Sequence, residues 1–259
     1  NSTATISTFC IDNSIYEYQL MIQVTNTSLP FEKQLESLFN LFKEIREKNL
    51  NHATIVFQRF FLSDTANQTE LLSNYLPEYK NNISIIEQPP LNGTKIALWA
   101  YLQTGMTIRQ NNSPDGLYEV QHGQYTHLWK GTAIKPENDS EYQMHTLLND
   151  YIRQLKEHNC TLAGNCIRTW IFVQNVDVNY AGIVKARREM FATNGLTQKT
   201  HYIASTGISG RHADPKATVI FDSYAVKGLS PGQIRHLHAK NHLNPTHEYG
   251  VTFERGTCI

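Results

Sequence analysis

The feature that most constrains the fold is a pattern that occurs twice, about 110 positions apart. After Pro30, apolar residues recur three and four positions apart and form one stripe along a predicted helix that ends near Asn49: Leu35, Leu38, Phe42 and Ile45. The stripe returns as Met144, Leu148, Ile152 and Leu155. Its closing residues Glu157-His158-Asn159 match Glu47-Lys48-Asn49. We therefore expect two copies of one unit and not a solenoid.

Segments with strand character surround each helix. Alternating residues over 5–25 predict a β-hairpin that turns at Asp12-Asn13-Ser14. The first copy continues with a strand at 53–62, a helix at 66–79 and a strand at 95–103. The second copy supplies a helix at 179–191 and three strands, at 125–133, 167–173 and 217–225. The predicted fold class is α+β.

The repeat and the turn-forming residues suggest domain boundaries. We expect the first unit at 1–123 and the second at 124–227, with the turn-rich loop 110–116 near the end of the first. Ser230-Pro231-Gly232 and Asn244-Pro245 favour a connector at 228–246. Residues 247–259 then resemble the opening of a third unit.

Composition excludes several classes of function. Lys plus Arg and Asp plus Glu both number 23, so no broad basic surface is expected and nucleic acid is not a predicted partner. No apolar stretch is long enough to cross a bilayer, and no signal segment opens the chain, so no membrane association is expected. The 4 cysteines are too scattered for a disulfide scaffold, which favours a reducing compartment and a cytoplasmic protein.

The order of hairpin, helix, strand, helix and strand resembles that of the Rid (YjgF) superfamily. Phe60-Phe61-Leu62-Ser63-Asp64 followed by Asn67 is similar to the strand-to-helix step of that family. The resemblance implies Rid-like (chorismate-mutase-like) β-α-β-β units packed as a pseudo-oligomeric barrel, in which a third unit comes from further chain or another molecule. A homo-oligomer or trimer-like assembly is therefore expected.

The second half resembles the chorismatase branch of the same superfamily. The segments that carry this likeness are Arg168-Thr169-Trp170, Tyr180 with Met190-Phe191, Ala204 to Ile208, and Tyr249 to Arg255. The branch removes pyruvate from chorismate by protonating its enol ether and adding water, with no cofactor and no metal. In that branch the catalytic carboxylate comes from a segment that we expect beyond Ile259, so no catalytic residue is assigned in this chain.

Seven residues are candidates for binding a small anionic metabolite: Arg168, Trp170, Tyr202, Ser205, Thr206, Gly207 and Arg255. Arg168 lies among apolar residues and needs an anion or a structural ion pair. Ser205-Thr206-Gly207 offers two hydroxyls and close access to the backbone, but the same triplet is also typical of a plain turn. Arg255 and its neighbour Glu254 are expected on opposite faces of a strand.

One cluster of histidines invites a metal interpretation. His236, His238, His242 and His247 lie within the predicted connector or next to it. Without a nearby Cys or Asp partner, they favour a polar linker over a metal site.

Three functions remain open from the sequence. The first is a chorismatase-like hydrolase or lyase that acts on a carboxylate-bearing enol or ring compound at a cleft between units. The second is a non-catalytic Rid-like ligand-binding or scaffold module. The third function is an imine or enamine deaminase. It is the weaker one, because the Rid family holds its substrate with an arginine that neither His201-Tyr202 nor Gln88-Pro89 keeps.

Overall fold

The computed structural model describes residues 1–11, 15–50, 52–77, 81–109, 116–239 and 241–259, with the backbone alone at 11, 247 and 249. Within these residues the chain divides into two compact units, Asn1–His122 and Gly123–Ile259. The predicted turn at Asp12-Asn13-Ser14 and most of the predicted loop 110–116 lie outside the described residues.

The first unit contains one mixed sheet and two helices. The elements are β1 (Ser2–Ile11), β2 (Ile15–Val24), α1 (Phe31–Lys48), β3 (Thr54–Leu62), α2 (Thr65–Ser73), β4 (Ile83–Glu87) and β5 (Ile96–Gln103), followed by the hairpin strands β6 (Thr107–Arg109) and β7 (Tyr118–His122). The strand order of the sheet is β1-β2-β5-β3-β4. In the described part of this sheet, β3 and β4 are the one parallel pair, because α2 carries the chain from the end of one strand to the start of the other.

The core of this unit lies between α1 and the sheet. The predicted helical stripe is buried, since Leu35, Leu38, Phe42 and Ile45 are all at most 7% exposed. They pack in one cluster with alternate residues of β2, including Leu20 and Ile22. The helix bounds and stripe predicted from the sequence are thus confirmed for α1.

The second unit repeats this arrangement. Its elements are β8 (Tyr125–Ala133), α3 (Ser140–Glu157), the short α4 (Leu162–Asn165), β9 (Cys166–Val173), α5 (Val176–Thr193), β10 (Ala204–Ser209) and β11 (Val219–Lys227). Within this unit the strands follow the order β10-β9-β11-β8. As in the first unit, the two strands joined by a helix, β9 and β10, are parallel.

One buried contact has the same form in both units. Gln34 on α1 donates to Leu29 O at 2.9 Å and accepts the backbone N–H of Lys95 at 2.7 Å. Gln143 on α3 donates to Asn138 O at 3.3 Å and accepts the backbone N–H of Thr218 at 3.0 Å. Each glutamine is 0% exposed, so in each unit one amide joins the first turn of the helix to the approach of the last strand.

The segment after β11 is more ordered than a simple connector. It contains two short 3₁₀ turns, Pro231–Gln233 and Thr246–Tyr249, and two strands, β12 (Arg235–Leu237) and β13 (Gly256–Cys258), which pair antiparallel. Thr257 Oγ1 donates to Ile167 O at 3.1 Å and so fastens β13 to the start of β9. The predicted third unit starting at 247 stays a prediction.

Two sequence expectations about elements were wrong. The helix predicted over 66–79 ends at Ser73, because Pro77 lacks an N–H group and disfavours a helical conformation in the residue before it. Ser205-Thr206-Gly207, which also suited a turn, lies inside β10. None of the described helices is long and apolar enough to span a membrane.

Candidate functional site

A buried carboxylate paired with an imidazole lies near the end of the chain. Glu254 is 7% exposed, and its Oε2 lies 2.7 Å from Nδ1 of His238. Its other oxygen, Oε1, accepts the backbone N–H of Tyr202 at 3.0 Å. A carboxylate held on both oxygens has a fixed orientation, and its imidazole partner is oriented through it.

The edge of the second unit's sheet holds Glu254 in place. Glu254 forms an isolated parallel bridge with Ala204, and its N–H donates to Ile203 O at 3.0 Å. Because this is a single bridge and not a regular strand, strict alternation of faces does not apply to Glu254 and Arg255. Both residues line the same cavity, contrary to the expectation that they point to opposite faces.

The cavity beside this pair has a volume of about 320 Å³. Its lining combines one acid, one guanidinium and two imidazoles with a phenyl ring and a phenol, from Glu254, Arg255, His201, His238, Phe253 and Tyr202. Arg255 stacks on Phe253, with its Cζ 5.1 Å from the ring centroid, and donates from Nη2 to Asn244 O at 3.2 Å. The volume suits a small polar molecule.

Two further imidazoles lie close to the pair. The rings of His201 and His236 stack with centroids 4.0 Å apart, and His201 Nδ1 lies 3.0 Å from Tyr202 O. Burial lowers the pKa of His236, and the nearby His201 lowers it further. His236 is thereby kept neutral near pH 7, with its buried Nδ1 lacking a partner among the described residues.

Of the predicted binding residues, Arg168, Trp170 and Thr206 come together on one face of the sheet. Arg168 Nη2 donates to Thr206 Oγ1 at 2.7 Å, and its Cζ lies 5.1 Å from the Trp170 ring centroid. Trp170 also stacks with Trp129 at 6.2 Å, and Trp129 with Tyr224 at 4.1 Å. A guanidinium over an aromatic row is one arrangement that binds flat anionic molecules.

The remaining predicted residues lie elsewhere. Tyr202 and Arg255 line the cavity described above. Ser205 lies on the helix side of the sheet, where it accepts a hydrogen bond from Thr169 Oγ1 at 2.9 Å. Gly207 approaches Tyr180 so closely that a Cβ atom there would lie 2.9 Å from the ring. The seven residues therefore divide among the cavity, the sheet face and the helix side.

The pairing of Glu254 with His238 is not among the contacts predicted from the sequence. His238 was grouped with neighbouring histidines as a polar linker, whereas its partner is 16 residues further along the chain. The sequence offered one signal for this pair, the acid Glu254 within the segment Tyr249 to Arg255 that carries the resemblance. Only the fold shows that this segment returns to the sheet edge beside β10.

One other cluster has the geometry of a cation site. Ligand atoms of Glu141 and His145 on α3 and of Glu189 on α5 lie within 4.8 Å of one another. His145 Nε2 already lies 2.9 Å from Glu189, and the Lys185 ammonium pairs with Glu141 at 2.7 Å. Because both carboxylates already have a partner in His145 or Lys185, the cluster is not assigned a metal.

The fold is α+β with a chorismatase-like architecture, which confirms the predicted α+β class and the predicted resemblance in fold. The solved structure of a chorismatase matches 98% of this chain with a TM-score of 0.54 and 14% sequence identity. At this identity the likeness shows the fold alone. The chain spans 66% of the length of that chorismatase.

Shorter YjgF-family structures match about half of the chain. A family member from Neisseria meningitidis covers 49% of this chain and 99% of its own at 19% identity and a TM-score of 0.39. One from Mycobacterium tuberculosis covers 46% and 98% at 17% identity and a TM-score of 0.35. No family model matches the sequence, and no curated protein matches it.

Proposed function

We propose that this chain binds a small carboxylate-bearing molecule in the cavity beside Glu254 and hydrolyses it by acid–base chemistry, in the manner of a chorismatase. The observation that carries the proposal is the buried carboxylate–imidazole pair, with 2.7 Å between Glu254 Oε2 and His238 Nδ1. The chorismatase-like fold supports the same substrate class.

Glu254 prepares His238 for proton transfer. With Nδ1–H donating to the carboxylate, Nε2 is the nitrogen that accepts or releases a proton. The side chain of His238 is 47% exposed while that of Glu254 is 9% exposed, so the imidazole can meet a ligand and its partner is shielded from water. A shielded carboxylate stabilises the imidazolium more strongly than an exposed one.

The proposed reaction is hydrolysis of an enol ether. The imidazolium of His238 gives its proton to the terminal carbon of the enol ether, which leaves a positive charge shared by the adjacent carbon and the ether oxygen. Water adds to that carbon and returns a proton to the imidazole, and the hemiketal then breaks its C–O bond to give a ketone and an alcohol. Glu254 stabilises the charged imidazole, and Arg255 pairs with a carboxylate of the ligand.

The test is release of pyruvate from chorismate, followed as NADH oxidation by added lactate dehydrogenase. We expect His238→Asn to lower kcat about 10²- to 10³-fold, because general acid catalysis contributes on that scale. His242→Asn, an exposed histidine four residues away, is the matched control and should keep the wild-type rate. Equal rates for the two variants would exclude His238 as the proton donor.

A second candidate is non-catalytic binding of a flat anion at the sheet face. The specific observation is the Arg168 guanidinium held by Thr206 at 2.7 Å and stacked on Trp170 at 5.1 Å. If this is the function, Arg168→Ala abolishes affinity for chorismate and leaves the unfolding temperature nearly unchanged. Loss of stability with intact binding would identify Arg168 as purely structural.

A further inference from the structure

The most unusual side chain in the second unit is Arg187, a guanidinium in the interior. Arg187 lies on α5 and is 1% exposed. Its Nη1 donates a long hydrogen bond of 3.4 Å to Ser205 Oγ. Among the residues that the structure describes, its Nε and Nη2 have no hydrogen-bond partner, and no acid forms an ion pair with it.

Such a guanidinium is unfavourable without an anion. Burial lowers the pKa of Arg187, and the neighbouring Tyr180 opposes that shift. Arginine nevertheless keeps its charge in proteins, so the interior holds a cation whose donors are largely unused. Buried charges are normally paired, and a protein that leaves one unpaired loses stability unless a ligand completes the pair.

Phe253 lies next to both this cation and the cavity. It is one of the residues that line the cavity, and the centroid of its ring lies 5.9 Å from Arg187 Cζ. The Phe253 carbonyl is held by Thr246 Oγ1 at 2.8 Å, and the next N–H, of Glu254, is held by Ile203 O at 3.0 Å. Because both hydrogen bonds fix the backbone, the movement open to Phe253 is rotation of its side chain.

We propose that Arg187 is a second carboxylate-binding residue of this cavity, beside Arg255, and that the Phe253 side chain covers it until a ligand enters. A carboxylate occupies less volume than a phenyl ring, so it fits in the space that the ring vacates. It accepts two hydrogen bonds from Nε and Nη2 in the bidentate geometry that guanidinium favours. This inference rests on the proposed function, since it names the group that holds the substrate of that site.

Ser205 holds the other edge of the Arg187 guanidinium. Its oxygen already accepts hydrogen bonds from Thr169 Oγ1 at 2.9 Å and from Arg187 Nη1. A carboxylate on Nε and Nη2 approaches the other edge of the guanidinium and leaves the bond between Nη1 and Ser205 in place. Ser205, a predicted binding residue that faces away from Arg168 and Trp170, therefore positions Arg187 for the ligand.

The first test is calorimetric titration of the full chain with benzoate, and with benzamide as its neutral analogue. Arg187→Met should weaken benzoate binding by at least about 30-fold, because one partner of a buried charge pair is removed. Benzamide binding should not change. Arg188→Met is the control, since Arg188 is the exposed neighbour that donates to Gly250 O at 2.7 Å. Equal benzoate affinity in the two variants overturns the inference.

A second variant tests the cover and does not require Arg187→Met to fold. Phe253→Leu removes the ring, so benzoate should associate roughly tenfold faster in stopped-flow measurements, because no side chain has to rotate first. An unchanged association rate overturns the gating role.

His238→Asn separates this inference from the proposed function. If the His238→Asn variant binds benzoate normally but no longer releases pyruvate, His238 takes part in the reaction and the binding of the carboxylate is left to Arg187. If Arg187→Met binds benzoate normally while His238→Asn still abolishes pyruvate release, the inference fails and the proposed function stands. If the wild-type chain releases no pyruvate yet Arg187→Met still loses benzoate, the reaction fails and the binding site stands.

Discussion

The Nδ1 atom of His238 lies 2.7 Å from Oε2 of Glu254, although the two residues belong to a segment that leaves the sheet and then returns to it. The return is made by the bridge between Glu254 and Ala204. The proposed acid–base pair therefore depends on the sheet edge as well as on its own hydrogen bond.

Replacing Glu254 by Gln should remove the negative charge beside His238 and keep the hydrogen bonds that hold this segment in place. The amide oxygen can still accept the N–H of Tyr202, which lies 3.0 Å from Oε1, but it no longer stabilises an imidazolium. We expect kcat for pyruvate release to fall about 10²-fold, with the unfolding temperature within a few degrees of wild type. An unchanged kcat would show that Glu254 only positions the segment.

The buried glutamines should be among the costliest polar residues to remove. Gln143→Ala leaves the N–H of Thr218 without its 3.0 Å acceptor, and Gln34→Ala does the same to Lys95 at 2.7 Å. We expect each change to lower the free energy of unfolding by about 1–3 kcal/mol in urea titrations. Gln23→Ala, at an exposed position of β2, should change it by less than about 0.5 kcal/mol.

Gly207→Ala should destabilise the second unit through one contact. The added Cβ would lie 2.9 Å from Cε2 of Tyr180 and 3.2 Å from its hydroxyl oxygen. We expect a loss of about 1–3 kcal/mol, and recovery of most of it in the double variant with Tyr180→Leu. Gly232→Ala is the control, because an added Cβ there meets nothing within 4 Å. Failure of the second substitution to restore stability would place the strain elsewhere.

The stability of the chain should fall in mild acid, in part through His236. The folded state lowers the pKa of His236, so the unfolded chain binds a proton more readily as the pH falls below the ordinary value of about 6.5. The contribution of neutral His236 to the stability is therefore fully present above a pH of about 6.5, and it is lost as the pH falls from that value through the lower pKa of the folded state. His236→Asn should flatten the pH dependence of the unfolding temperature between pH 7 and 5, and a profile as steep as wild type would assign the effect to other groups.

Much of the fold could be predicted because the spacing of apolar residues along the chain indicates the helices and strands directly. The stripe from Leu35 to Ile45 and its repeat from Met144 to Leu155 locate α1 and α3. The β4 strand was missed although Ile83, Ile85 and Ile86 are typical of a buried strand, because a run of five residues is too short for a period to appear. The predicted end of α2 near residue 79 is wrong, because Pro77 breaks the helix before that point and α2 ends at Ser73.

The candidate site was harder to predict because its members come from separate parts of the chain. The resemblance points to Arg168 and Thr206, and the pairing of β9 with β10 brings their side chains into hydrogen-bond contact. Arg187 carried no sequence signal, since an arginine on a polar helix is ordinarily solvent-exposed. Its burial follows from the packing of α5 against the sheet, which no local pattern records.

The paired glutamines also have a consequence for synthesis on the ribosome. Gln34 lies 61 residues before its backbone donor Lys95, and Gln143 lies 75 residues before its donor Thr218. Each helix emerges long before the strand approach that satisfies its amide, so neither unit can close its interior until its last strand has left the exit tunnel. The nascent chain should then become resistant to protease in two separate steps, one for each glutamine.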